Sequence, residues 1–384
     1  MSKYIWTSEY VSPGHPDKIA DQISDAVLDA YLSKDPNAKV ACEVMVKDTD
    51  VYVAGEITST VGLSKMDLTG IIRKTICEIG YNTKEIGFNG YTCNIHFNIS
   101  NQSPEINGAV DRGEITTAGD QGIMFGFATR ETPNGMPIPI YLAKKFIDVA
   151  YGLSQKHYKN DDVLRPDMKS QVSIVFRDGK AVAVDNVVMS MCHSENINLD
   201  RLKLIFNSII LPEVLREIPN NISGLFSKNT RYFINPAGEW NIGGPISDCG
   251  LTGRKIVVDQ YGADCEIGGG AFSGKDPSKV DRSAAYMARY IAKKTLHENE
   301  DAKRIKVQLA YAIGEEYPVS YRIYDPTSGK EYGLGDLTAQ DLTPNKIIER
   351  LKLKTPIYLQ TAKKGHFGNK EFEWEKIGET KRFN

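Results

Sequence analysis

Three times along this 384-residue chain an amphipathic helix pattern is followed by two strand-like runs and then a second helix pattern. That order restricts the possible folds more than any other feature. In "HPDKIADQISDAVLDAYLSKD", Ile19, Ile23, Val27 and Tyr31 recur every fourth residue and make one apolar stripe. "VACEVMV" and "VYVAGEI" follow across residues 47–50, and "SKMDLTGIIRKTICEIGY" closes the first unit. The second unit runs from "MPIPIYLAKKFIDVAYGLS" through "SQVSIVF" and "KAVAVDNVVMS" to "LDRLKLIFNSIILPEVL". Its two strands flank Asp178-Gly179, a pair suited to the positive φ angles of a hairpin turn. The third is "SAAYMARYIAKKTLHE", "RIKVQLAYAIG" with "VSYRIYD", then "TPNKIIERLKL". A striped helix and an alternating hairpin bury each other's apolar faces by stacking. The reading is therefore α+β, with three similar domains of antiparallel sheet covered by helices. The expected boundaries are 1–101, 118–237 and 238–384. The polar segment 102–117, which has no periodicity, is read as a mobile loop, either a lid over an active site or a disordered connector.

Composition excludes some partners. Lys+Arg number 47 against Asp+Glu 49, for a net charge of −2, so neither nucleic acid nor membrane is expected as the main partner. Any cationic site must be local. The cysteines at 42, 77, 93, 192, 249 and 265 form no C-x-x-C pair and the six histidines lie far apart, which argues against zinc. "MSKYIWTSEY" has no apolar signal core and no run approaches ~18 apolar residues. Reduced thiols in a cytoplasmic protein are the expectation.

The densest chemistry lies in "GGGAFSGKDPSKVDRSAAY", residues 268–286. Gly269 to Lys275 fit the start of G-x-x-x-x-G-K-[ST], but Asp276 replaces the hydroxyl residue. A carboxylate ~4 Å from a phosphate charge costs about 4 kcal/mol at an effective dielectric near 20, so the common nucleotide loop is excluded. Phosphate binding of another kind survives. The glycines permit close backbone approach, and Lys275 and Lys279 flank Pro277, which is expected to open a helix. The stretch alone reads equally well as a glycine linker followed by solvated lysines. In "SPGHPDKIADQ", His15 stands at a helix start, as cap or catalyst, with Asp17 in the first turn. Asp17, Asp21, Asp25 and Asp29 recur every fourth residue. They are read as a solvated acidic face, apart from Asp17 as a candidate Mg²⁺ ligand. "NIGGPISDCGLTGRKIVVD" supplies Asp248, Arg254 and Lys255 before an apolar strand, and "LRPDMKSQV" sets Asp167 and Lys169 at a strand start. Lys169, Arg254, Lys255, Lys275 and Lys279 together suit a polyanion larger than one phosphate.

"SPGHPDK", "AGDQGIMFG", "LRPDMKSQV", "GGPISDCGLTGRK", "GGGAFSGKDPSKVDRSAAY" and "GHFG" stand in the order found in the S-adenosylmethionine synthase, or methionine adenosyltransferase, family. The chain resembles that family from Ser8 to about Trp374. The resemblance implies three α+β domains around a pseudo-threefold axis, with segments exchanged between domains. It further implies a homo-oligomer, a dimer of dimers with active sites between subunits. The implied reaction makes S-adenosylmethionine from ATP and L-methionine by sulfur attack on ribose C5′, then hydrolyses the bound triphosphate to pyrophosphate and phosphate. The implied cofactors are Mg²⁺, two per site, and K⁺. Such a reaction accounts for the lack of a serine elbow or Cys/His pair, since a thioether is nucleophilic without deprotonation.

Position by position, the resemblance implies that His15 hydrogen-bonds near the bridging O5′ and that Lys169, Arg254, Lys255 and Lys275 hold the triphosphate. His15, Lys169, Arg254 and Lys275 form the catalytic set. Asp167, Glu239, Trp240, Asp248 and Ala271 complete the ATP contacts. Glu56, Gln102, Asp120, Asp248 and Lys279 are implied for methionine, Asp17 and Asp281 for Mg²⁺, and Glu43 for K⁺. Three places depart from the family pattern. Trp240 stands where Phe is common with Glu239 in place of a basic residue, Cys265 and Glu266 precede the glycine stretch, and the loop 101–117 differs most. From residues alone, two rivals stay open: a kinase-like phosphotransferase that releases ADP, and a nucleotide-binding regulator without turnover.

Overall fold

A computed structural model of the chain describes residues 2–101, 117–157 and 164–377. Residues 102–116 of the expected mobile loop lie outside them. The first unit holds α1 (Pro16–Leu32), β2 (Lys39–Lys47), β3 (Asp50–Thr58), α2 (Lys65–Ile79) and β4 (Asn94–Ser100), preceded by β1 (Lys3–Val11). After β5 (Gly122–Thr129) the second holds α3 (Ile138–His157), β6 (Leu164–Arg177), β7 (Lys180–His193), α4 (Leu199–Ile205) and β8 (Arg231–Ile234). After β9 (Gly250–Leu251) the third holds α5 (Val280–Glu298), β10 (Arg304–Tyr311), β11 (Ser320–Tyr324), α6 (Pro344–Arg350) and α7 (Tyr358–Lys364). Ile19, Ile23, Val27 and Tyr31 are buried, as their spacing predicts. Positive φ at Asp48, Asp178 and Gly179 forms two of the hairpin turns.

The sheets run β1-β6-β7-β8, β9-β2-β3-β4 and β5-β10-β11. Each has the same plan, in which a central hairpin takes an antiparallel strand on its first arm. In the first two sheets the second arm takes a parallel strand, β8 on β7 and β4 on β3. The order within a sheet does not follow the chain. β1 leaves the first segment for the second unit's sheet, β5 leaves the second for the third, and β9 leaves the third for the first. One apolar core serves the first and third units, and α3, β6, β7 and α4 pack around another. Among the described residues no helix is long and apolar enough to cross a membrane.

The four-residue acid spacing on α1 is not a solvated face. Asp17, Asp21 and Asp25 are fully buried, because loops from the last third of the chain lie over that side of the helix. Each carboxylate accepts backbone N–H groups that would otherwise be unsatisfied: Asp17 from Leu251 at 3.0 Å, Asp21 from Gly253 at 2.8 Å and Asp25 from Gly274 at 2.8 Å. Asp29 accepts from Tyr358 at 3.0 Å and Leu359 at 2.9 Å, at the start of α7. Midway along α5, buried Arg289 meets buried Glu375 through Nε–Oε1 at 2.9 Å and Nη2–Oε2 at 3.1 Å. Lys293 Nζ adds a third bond to Glu375 at 2.8 Å, fastening the chain's last described turn to the core.

Candidate active site

The candidate residues fall into two groups. The first gathers at the start of α1. His15 is the N-cap, and its Nδ1 accepts from Asp17 N at 3.1 Å. Burial, with Lys255, Lys169 and Arg254 nearby, lowers the imidazole pKa to about 3 despite the opposing charge of Asp17. The ring is therefore neutral at pH 7. Since Nδ1 accepts, the proton sits on Nε2, and His15 presents a neutral N–H donor. Asp17 Oδ2 meets Lys255 Nζ at 2.5 Å, and Arg254 Nε lies 3.4 Å from Oδ1. Burial alone would raise the Asp17 pKa, but the bonds from Lys255 and Leu251 N–H hold it below its ordinary value.

Lys169 and Asp167 enter from the start of β6, and the charge of Lys169 is felt by both His15 and Asp167. Asp167 is buried, with Oδ2 bonded to Gly244 N at 2.8 Å and Oδ1 without a partner. Burial pushes its carboxyl up to about 7. Exposed Asp248 adds negative charge from the same side. The segment 240–244 walls this corner. Trp240 N donates to His193 Nε2 at 3.3 Å and its indole to Ile242 O at 2.8 Å, while Glu239 is exposed. Asp167→Asn is expected to stabilise the free protein by about 1–3 kcal/mol at pH 8 and far less at pH 4, because the folded-state penalty builds as pH rises from the ordinary carboxylate range to the raised pKa of about 7 and is constant above it. Denaturant unfolding at the two pH values measures this, and equal effects at both would show that the buried charge is not its source.

The second group lies on the outward face of the sheet containing β2 and β3. Glu56 pairs with Ala41 in register, and Ala41 bridges to Lys275 on its other side. Directly opposed residues share a face, so Glu56 and Lys275 project together, joined by Glu43 two positions along β2. Burial raises the Glu43 pKa, against the pull of Lys275. Lys275 Nζ meets Asp281 Oδ2 at 2.5 Å. A β-carbon on Gly270 would come 2.4 Å from Asp281 Oδ1, so glycine there is what admits the carboxylate. Ala271 packs against Gly253, the residue before Arg254. Exposed Asp120 stands two residues before Gly122, which also borders Asp281.

Several expectations change. Asp276 does not face an anion: its carboxylate turns inward to Val40 N at 2.8 Å, Ser278 N at 2.9 Å and Lys279 Nζ at 2.5 Å. Lys275 and Lys279 thus answer to different carboxylates and do not form one cationic pocket in this state. Pro277 belongs to the turn held by Asp276, and α5 begins only at Val280, with Lys279 as its cap. Gly274, at φ +80°, serves packing, since a β-carbon would fall 1.9 Å from Cys42 O. The run after Lys255 is one helical turn, Ile256–Asp259, not a strand, for it is too short and lacks a pairing edge. Gln102 lies outside the described residues.

The ion pairs stay within each group. Two cavities of about 760 and 800 Å³ lie elsewhere: one beside Asp276 and Lys39, the other beside Lys144 and Lys363. The site's support also includes two residues not marked out in the sequence, Lys18, which bonds Asp259 at 2.8 Å and sits 3.1 Å from Asp21, and Arg282, which pairs with Asp25. Their only signal was an acid spacing shared with any solvated helix.

Three α+β units of one plan, carrying two lysine–aspartate clusters on loops braced by a buried acidic helix, define a class of multidomain protein equipped for anions. Family models for the N-terminal, central and C-terminal domains of S-adenosylmethionine synthetase match residues 3–104, 115–240 and 242–376. The chain belongs to the S-adenosylmethionine synthetase family. Its domains are those of a transferase that forms S-adenosylmethionine from ATP and methionine.

Proposed function

We propose that the chain catalyses attack of the methionine sulfur on C5′ of ATP, with triphosphate as leaving group, and then hydrolyses the bound triphosphate to pyrophosphate and phosphate. The carrying observation is the paired arrangement Lys255–Asp17 and Lys275–Asp281, each at 2.5 Å. An arriving polyphosphate draws each lysine to itself and frees the carboxylate. Asp17 and Asp281 would supply the hard oxygen donors that suit Mg²⁺. When bound, Mg²⁺ neutralises charge on the phosphates. Lys169, Arg254, Lys255 and Lys275 complement the rest as the leaving group departs.

Neutral His15 donates Nε2–H to the departing O5′. Asp167, through its unpartnered Oδ1, and Trp240, through its indole face, suit the nucleoside, with Glu239, Asp248 and Ala271 beside them. Glu56 takes the methionine ammonium with Asp120 and Gln102. Lys279 takes the carboxylate, for which it must release Asp276. Glu43 supplies one carboxylate for K⁺. We read a complete site as the first group of one copy meeting the second group of another, within a dimer of dimers. The free thiols of all six cysteines suit a cytoplasmic setting.

Incubation with ATP, methionine, Mg²⁺ and K⁺ tests the reading. S-adenosylmethionine with pyrophosphate and phosphate supports it, whereas ADP or binding without turnover refutes it. An active monomer isolated by size would overturn the shared site. His15→Ala is expected to slow C5′ transfer by about 10–100-fold, the value of a hydrogen bond to a charged group, while sparing hydrolysis of added triphosphate. Equal loss of both steps argues against the assigned donor.

A further inference from the structure

The structure assigns Asp25 and Arg282 as a positioning pair that sets Lys275 and Asp281 relative to the start of α1; the assignment rests on the proposed function above only for its catalytic readout. Both side chains are fully buried. Arg282 Nη1 donates to Asp25 Oδ1 at 2.7 Å and Nη2 to Oδ2 at 2.8 Å, a bidentate fork. All remaining donors are used: Nη1 reaches Lys275 O at 3.1 Å, Nη2 reaches Thr361 Oγ1 at 3.0 Å, and Nε reaches Tyr286 at 3.1 Å. The guanidinium also lies over the Tyr358 ring, 4.2 Å from its centroid.

The pair grips the glycine loop on both sides of two successive α-carbons, those of Gly274 and Lys275. Asp25 Oδ1 takes Gly274 N at 2.8 Å, and Arg282 takes the carbonyl of Lys275. Between those two bonds lies the Lys275 side chain. Arg282 also follows Asp281 directly, so the same grip fixes the carboxylate that partners Lys275. Asp25 in turn sits on the helix that begins with His15 and Asp17. A buried ion pair is weak as a source of stability, since apolar side chains of similar volume fold as well or better. Its bonds to two successive loop residues point instead to geometry, and a displacement of about 1 Å at a reacting group costs about 10²-fold in rate.

Arg282→Lys keeps the charge and loses the fork. In folded protein it is expected to weaken binding of inorganic tripolyphosphate with Mg²⁺ by about tenfold, read by calorimetry, and to lower kcat by about 30–100-fold. The methionine KM should stay within about twofold, which a general loosening of the fold would not allow. Asp25→Asn should give the same pattern. Tripolyphosphate affinity and turnover equal to the parent overturn the assignment, as does a matching loss of methionine affinity. If Arg282→Lys does not fold, Asp25→Asn with Arg282→Gln removes both charges together, and its failure to fold assigns the pair to stability and overturns the proposal. A parent that makes no S-adenosylmethionine refutes the proposed function alone, because the calorimetric comparison still decides the pair.

Discussion

Lys275→Ala is expected to lower turnover by about 10²–10³-fold while leaving the methionine KM within about twofold. The magnitude is that of removing one preorganised group from a developing anion, roughly 3 kcal/mol of transition-state stabilisation. Lys275 projects on the sheet face that carries Glu43 and Glu56, and its ammonium rests 2.5 Å from Asp281. Its charge matters most as triphosphate leaves, so the loss belongs to kcat and not to methionine binding. Steady-state kinetics at varied methionine and saturating ATP measure both constants. A rise in methionine KM with unchanged kcat would move Lys275 to the amino-acid side of the site.

Glu375→Ala is expected to destabilise the protein by about 3–5 kcal/mol, because it strands buried Arg289 without its counter-charge. Arg289 keeps its bonds to the carbonyls of Phe127 and Gly135, at 2.5 and 3.1 Å, but these do not neutralise it. Burial pushes the Glu375 pKa up, yet Arg289 and Lys293 outweigh it and hold the carboxyl below its ordinary value. The contribution is therefore present above the usual carboxylate range and lost as pH falls through the depressed pKa. Denaturant unfolding at pH 7 and at pH 4 should show the gap between parent and variant narrowing in acid. A constant gap would mean that lost packing, not the ion pair, causes the effect.

The helices and hairpins were legible because their signals are local: the stripe of Ile19, Ile23, Val27 and Tyr31, and Asp178-Gly179 between alternating strands. The roles of Asp21 and Asp25 were not, because a four-residue acid spacing looks the same whether water or a loop covers it. Their partners, Gly253 N and Gly274 N, lie 232 and 249 residues away. From its position after Lys275, Asp276 reads as a charge opposed to phosphate, while its partners include Val40 N, 236 residues earlier. Short elements also escaped. β9 has two residues and no periodicity to detect. Ile256–Asp259 has the composition of a strand, but folds as a single helical turn. Among the site residues, the glycine stretch and the lysines stood out by type, whereas the division into two groups depends on sheet register that no linear spacing encodes.

The loan of one strand from each segment to the next sheet has a consequence for synthesis on the ribosome. The second unit's hairpin finds β1 already made, so that sheet gains its long antiparallel edge as soon as β6 emerges. The first unit must wait for Gly250–Leu251, and β5 for Arg304–Tyr311, before either gains its borrowed neighbour. A nascent chain halted near residue 240 therefore leaves β2 without β9 and β5 without its sheet, and a transcript truncated there should yield material that recruits chaperones or aggregates.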